Sequence, residues 1–126
     1  MATPTKSIIP IYTTKGDAEA FLVYPYIYNR IGEWIGWITS QKEIYSVLGH
    51  YVGYLSKGPR ILRKRAIEKA ITRKRPPAKP PKVYPPATVP LAPMMPELNH
   101  SDIDVLLDEA ERLHTADSGE FRDDLD

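Results

Sequence analysis

The side chains that most often carry acid–base or metal chemistry are sparse in this chain of 126 residues. The three histidines, His50, His100 and His114, share no spacing that is typical of metal ligands, and there is no cysteine. Glu19 and Glu33 are single carboxylates without a partner, and neither a phosphate-binding glycine loop nor a catalytic serine motif is present. We therefore predict no catalytic, metal or cofactor site, and a protein that is not an enzyme and has no small-molecule substrate.

A dense run of positive charge is the strongest chemical signal in the sequence. Residues 60–82 contain ten Lys and Arg against one acid, whereas residues 97–126 contain eleven acids against two arginines. Because cations neutralise phosphates and aromatic rings stack on bases, this strip predicts, as an alternative function, binding to single-stranded nucleic acid. The candidate residues are Arg60, Arg63, Lys64, Arg65, Arg73, Lys74 and Arg75. The other interpretations are a solvated face or a dock for the acidic C-terminal segment.

A repeated phrase indicates the elements that must position these side chains. Four twelve-residue segments align with one another, and they start at Ile11, Ile27, Ile44 and Ile61. Position 6 is Gly in the first three copies, and position 10 is Ala or Gly in all four. An Ile-Tyr strand start followed by a Gly that can take a positive φ is typical of a β-hairpin. The sequence therefore predicts a mainly β fold of three to four hairpins with a period of 16–17 residues.

The phrases IYNRIGEWIGWI and IYSVLGHYVGYL, with the following GPRILRKR, resemble the four-fold beta-flower domain, a small bacterial module built from such repeats. The resemblance covers about Ile8–Thr72. It implies hairpins arranged around a pseudo-fourfold axis. It implies no activity, because members of the family are largely uncharacterised and no catalytic residues can be carried over.

The fourth copy leaves two structures open. ILRKRAIEKAITRKR contains no Gly or Pro and is rich in helix-forming residues, and Ala66 stands where the turn Gly should be. This composition favours a final strand at Ile61–Lys64 that runs into a helix or an irregular segment. A complete fourth hairpin over 61–72 is the alternative.

Nine prolines within Pro76–Pro96 exclude a helix or a central strand there. The sequence predicts a basic and then Pro-rich extended arm over 73–98, which follows a repeat domain at 8–72 and an N-terminal arm at 1–7. The apolar residues among the prolines are Val83, Tyr84, Val89, Leu91, Met94 and Met95. A simple spacer needs no such residues, so we expect the arm to pack along a surface.

An amphipathic helix is predicted after the arm, over 99–114. Ser101-Asp102-Ile103-Asp104 matches a capping box, in which a serine hydroxyl accepts from a backbone amide at the helix start. The apolar stripe of this helix is Ile103, Leu106, Leu107, Ala110 and Leu113. Residues 115–126 are acidic and polar, and we predict that they are disordered.

Together these features predict a non-enzymatic protein–protein interaction module or assembly subunit. In this hypothesis the β-repeat core is a scaffold, and the apolar residues of the arm and helix bind a protein partner or another copy of the chain, which makes a homo-oligomer possible. The most apolar run, Phe21–Tyr28, is too short to span a bilayer, so we expect no membrane partner and a cytoplasmic location.

Overall fold

The computed structural model describes residues 7–65 and 71–116 of the chain. In this part all eight strands form one sheet, and neighbours along the chain are antiparallel partners. The strands are β1 (Ile9–Tyr12), β2 (Ala18–Val23), β3 (Tyr26–Asn29), β4 (Trp34–Ile38), β5 (Glu43–Ser46), β6 (Tyr51–Leu55), β7 (Ile61–Lys64) and β8 (Asp102–Asp104). The mainly β fold class predicted from the repeats is confirmed.

The first three hairpins, β1–β2, β3–β4 and β5–β6, share one kind of turn. In the second hairpin the Asn29 amide donates to the Glu33 carbonyl, and the Gly32 amide donates back to the Asn29 carbonyl. Gly32 has a φ of +86°, and the equivalent Gly16 and Gly49 have +91° and +87°. Because L-residues rarely adopt this region, the turn role predicted for position 6 of the repeat is confirmed.

The hydrophobic core lies on the face of the sheet to which position 1 of each repeat points. Ile11, Ile27, Ile44 and Ile61 are all 0% exposed and belong to one cluster. Position 10 stands directly opposite position 1 in the first three hairpins, for example Gly36 opposite Ile27. The small residue is required because a Cβ on Gly36 would come within 2.6 Å of the Tyr45 carbonyl oxygen.

The fourth strand pair is completed from far along the chain. A strand at Ile61–Lys64 is confirmed as β7, and its partner is β8, with Lys64 opposite Asp102. Part of the predicted fourth repeat, residues 66–70, lies outside the described residues. Directly after β8, Val105 is 0% exposed and joins the central cluster, as does Leu113. The core therefore includes the C-terminal segment, although the sequence suggested a packed domain that ends near residue 72.

The prediction of a helix over 99–114 is wrong. Its first part is β8, and only Val105–Asp108 (α1) is α-helical, followed by a 3-10 turn at Ala110–Arg112. The capping box does not form either, because the Ser101 hydroxyl bonds the Asn99 side chain. The open edge of β7 offers backbone hydrogen bonds that outweigh the local helix preference. No helix in residues 7–65 and 71–116 could cross a bilayer by its length and apolar character.

The sheet curls into a half-barrel because its first strand contacts its last loops. The Tyr12 amide donates to the Pro59 carbonyl at 3.0 Å. The amide and hydroxyl of Thr14 both donate to Asp104 Oδ2 at 2.6 Å, although Asp104 is completely buried. The Thr14 hydroxyl in turn accepts from Arg60 Nη1 at 3.1 Å. This polar chain joins the β1–β2 turn to both strands of the fourth pair, at the end where β7 begins and β8 ends.

Shortening Val105 tests whether the C-terminal segment is part of the core. V105A should lower the free energy of unfolding by about 1–3 kcal/mol, because it removes methyl groups from a fully buried site. The matched control V89A, at a half-buried position of the arm, should cost about 0.5 kcal/mol or less. Denaturant unfolding measures both, and equal losses would contradict the placement of Val105 in the core.

Candidate interaction surface of the Pro-rich arm

The arm crosses the tips of the three hairpins in reverse chain order. Residues 71–99 contain no helix or strand. At two of the turns the arm backbone donates hydrogen bonds, from Lys74 N to Gly49 O at 2.9 Å and from Val83 N to Gly32 O at 3.1 Å. At the third turn the Cβ of Ala92 lies beside Gly16, 3.8 Å from where a Cβ on that glycine would stand. The arm thus advances nine residues from one hairpin tip to the next, while the sheet advances 17 and then 16 residues.

Tyrosines at position 2 of the repeat hold the arm between these tips. Tyr28 donates its hydroxyl to the Pro81 carbonyl at 3.3 Å, and Tyr12 donates to the Pro90 carbonyl at 2.8 Å. Burial, followed by the neighbouring Tyr26, raises the pKa of Tyr28, so its hydroxyl remains a donor into the alkaline range. The two proline carbonyls are nine residues apart, as are Lys74 and Val83.

The position-2 tyrosine of the third copy contacts the arm through a charged side chain and not through a carbonyl. Lys74 Nζ lies 5.6 Å from the centre of the Tyr45 ring, which is within the range of a cation–π interaction. Tyr45 also stacks on Trp37, with ring centres 5.0 Å apart. We call the surface formed by these tyrosines and turn glycines the arm track; its residues are Tyr12, Gly16, Tyr28, Gly32, Tyr45 and Gly49.

Two turn glycines are needed for the arm as well as for the turn. A Cβ on Gly32 would collide with the carbonyl oxygen of Val83, and a Cβ on Gly49 would collide with that of Lys74. Sequence reasoning missed this second role. The signal that could have revealed it is the nine-residue echo in the arm, where Pro-Pro-Ala occurs at 76–78 and again at 85–87.

A turn-forming polar residue at position 3 of the first three repeats was also missed. Asn29 accepts hydrogen bonds from the amides of Ile31 and Glu33 through its side chain. Ser46 does the same for the amides two and four residues later, and the Thr13 hydroxyl accepts from the amide two residues later. Thr, Asn and Ser in one repeat position were the available signal, because these side chains bond nearby backbone in turns.

The apolar residues predicted to bind a partner along the arm point in different directions. Val83 packs against a second apolar cluster on the sheet, and Met95 Sδ lies over Gly58. Tyr84, Leu91 and Met94 are 83%, 95% and 102% exposed, the three highest values among the large apolar residues described. We call these three side chains the outer face of the arm.

Most of the predicted stripe after the arm serves the fold instead. Ile103 and Leu113 are buried, and Leu106 packs against the central cluster. Ile103 and Leu113 have almost no exposed surface to offer a partner in this fold, so their prediction as partner-binding residues is corrected, whereas that of the half-buried Leu106 stays a prediction. Leu107 and Ala110 remain exposed.

The cations of β7 and its flanks have partners within the chain. Arg60 is 3% exposed and donates from Nη2 to the Pro96 carbonyl. The acidic C-terminal segment supplies partners for two more, since Arg63 pairs with Glu109 at 2.8 Å and Lys64 with Asp102 at 3.2 Å. Docking of the acidic segment, one of the two interpretations weighed against nucleic-acid binding, is thus seen for these two residues.

The rest of the predicted strip lies on the surface. Arg65 donates to the His100 carbonyl, Arg73 to the Leu48 carbonyl, and Lys74 lies over the Tyr45 ring. Arg75 is exposed. Binding of nucleic acid by these residues stays a prediction. His50 is exposed in its turn, and among the described residues no three or more His, Asp or Glu side chains form a cluster that could hold a metal ion.

A comparison with protein-family models assigns the chain to a family. The model described as "4-fold beta flower protein" matches residues 9–104. This match spans most of the chain, so the chain belongs to the 4-fold beta flower family, as its repeats suggested. The match runs through the arm to the end of β8. No curated protein and no solved structure is significantly similar to the chain.

Substituting Gly32 tests its second role, with Gly16 as a matched control. Both glycines have positive φ, so an alanine at either should cost about 1–2 kcal/mol of stability. G32A should cost at least about 1 kcal/mol more, because its Cβ also collides with the arm backbone. Denaturant unfolding and limited proteolysis of the arm measure the difference. Equal stability and equal cleavage of the two variants would contradict the arm contact.

The Arg63–Glu109 pair predicts a pH dependence of stability. The pKa of the Glu109 carboxyl is lowered from its ordinary value of 4.5, and the hydrogen bond from Arg63 is the largest cause. The ionised carboxylate therefore stabilises the fold above that value, and the contribution is lost as the pH falls through the lowered pKa. Between about pH 6 and about pH 3, E109Q should lose less stability than the native chain. The control E111Q removes an exposed carboxylate nearby. If stability depends on pH in E109Q as it does in E111Q, the predicted role of the Arg63–Glu109 pair is contradicted.

Proposed function

We propose that this protein is a non-enzymatic protein–protein interaction module, in which the sheet is a scaffold and the arm presents its outer face to a protein partner or another copy. The observation that carries the proposal is the exposure of Tyr84, Leu91 and Met94, of which the first two directly follow residues that are hydrogen-bonded to the hairpins, Val83 and Pro90. Single exposed apolar side chains are common on proteins. Three of them along a tethered segment of eleven residues form a candidate binding surface.

The tether supports binding by lowering its entropic cost. An arm already fixed by Val83 and Pro90 loses less freedom on binding than a free peptide would. Each large side chain that a partner buries contributes about 1.5–3 kcal/mol. A partner with an apolar or aromatic groove, of the kind that binds extended Pro-rich segments, is the complementary surface.

Removing the outer face tests the proposal. The variant Y84S/L91S/M94S should fold as the native chain does, because these side chains support no core contact, and it should lose the bound protein or the self-association that the intact chain shows. Tagged capture from the native host and sedimentation velocity measure the two. The control I9S/Y24S removes exposed apolar residues elsewhere.

The control should keep whatever the intact chain binds. If the outer-face variant binds as well as the intact chain, the outer face is not the interaction site. If both variants lose binding equally, general loss of surface hydrophobicity explains the result, and the proposal is wrong.

A further inference from the structure

The arm track makes its hydrogen bonds with backbone groups of the arm, and the Lys74 ammonium over the Tyr45 ring adds a side-chain contact, so its choice of ligand depends mainly on the ligand backbone. Tyr28 contacts the Pro81 carbonyl, and Gly32 contacts the amide two residues later, at Val83. At the preceding step along the arm, Gly49 accepts from the Lys74 amide. The ligand that fits this surface is an extended Pro-rich segment with free amides at nine-residue spacing.

A second copy of this chain carries such a segment, because its sequence is the same. An unrelated Pro-rich peptide would have to match the spacing by chance, whereas another copy has the same amides at 74 and 83 and the same carbonyls at 81 and 90. Its arm also leads into β8, which could complete the sheet at β7 through the same pairs that the native β8 makes. An exchanged arm would therefore form every contact that the resident arm forms.

The resident arm can be released without unfolding the three hairpins. Residues 71–99 have no helix or strand, and their hydrogen bonds with the arm track come from only four arm residues, at 74, 81, 83 and 90. Such sparsely bonded segments open locally before the core does. β8 is held more firmly, by the three residue pairs between Leu62–Lys64 and Asp102–Asp104 and by the buried Val105 that follows it, so the arm opens before β8 does.

We propose that the arm track is a polyproline-binding surface that accepts the arm of a second copy in exchange for its own. This exchange does not involve the outer face of the arm, so it goes beyond the function proposed above. The resident arm competes as a tethered ligand, and it lowers the apparent affinity for an incoming arm by the fraction of open tracks.

A labelled peptide of residues 72–98 tests the track in the full-length chain. In the variant V83P the resident arm loses the amide that donates to Gly32, so the added peptide should bind about tenfold more tightly than to the native chain. The matched control V83A keeps the amide and should bind the peptide nearly as the native chain does. Adding G32A to V83P should abolish binding, since no arm can then lie on the turn.

The outcomes distinguish binding of the peptide to the arm track from non-specific binding elsewhere on the protein. No binding to V83P at millimolar peptide, or binding that G32A leaves unchanged, would overturn the proposal. If V83P does not fold, K74P removes the equivalent donor at Gly49 and replaces it in the same series.

Exchange between whole copies is tested by cross-linking, because the chain has no cysteine of its own. Lys64 and Asp102 are opposite each other in the β7–β8 pair, at a spacing that suits a disulfide. A mixture of K64C copies with D102C copies should give at least tenfold more disulfide-linked dimer than K64C with T88C, a control on the exposed part of the arm. Equal amounts of dimer in the two mixtures would show that copies do not exchange arms.

Discussion

The backbone pairing of β7 with β8 is the constraint on which the rest of the structure depends. Since the partner of β7 lies at the far end of the arm, the connection between them must cross the surface of the sheet. On the way it lies on each hairpin tip, and at its end it delivers Val105 and Leu113 to the core. The same pairing also brings the buried Asp104 carboxylate to Thr14, which ties the first hairpin to the last strand.

Two repeats of different length are matched along this path. A hairpin needs 16 or 17 residues because it runs out and back, whereas an extended strand that follows the tips needs nine residues per hairpin. The match is made through backbone groups and through the absence of a side chain at Gly32 and Gly49. This explains why the arm can vary in composition between Lys74, Val83 and Ala92 while it keeps its spacing.

The sequence predicted the elements whose causes are local. The isoleucines at position 1, such as Ile27 and Ile44, are completely buried, and the turn glycines have the positive φ that their spacing implied. It failed where a distant partner decides the structure. Ile103 belongs both to the predicted helical stripe that ends at Leu113 and to the polar–apolar alternation of Asp102–Asp104, and only the open edge of β7 selects the strand. For the same reason the sequence indicates that the arm packs along a surface, but it does not indicate which arm residue lies on which hairpin.

The polar chain from the buried Arg60 through Thr14 to the buried Asp104 explains why the sheet closes in one register. Arg60 and Asp104 do not form a direct ion pair, and each reaches the other through the Thr14 hydroxyl. Burying two charges is costly, so apolar residues of similar size could give equal or greater stability. Apolar residues would, however, tolerate a shift of β8 along β7 by a residue pair, whereas a shifted Asp104 would leave a buried carboxylate without its donors. The polar chain therefore selects the register in which Val105, and with it the end of the arm, reaches its place.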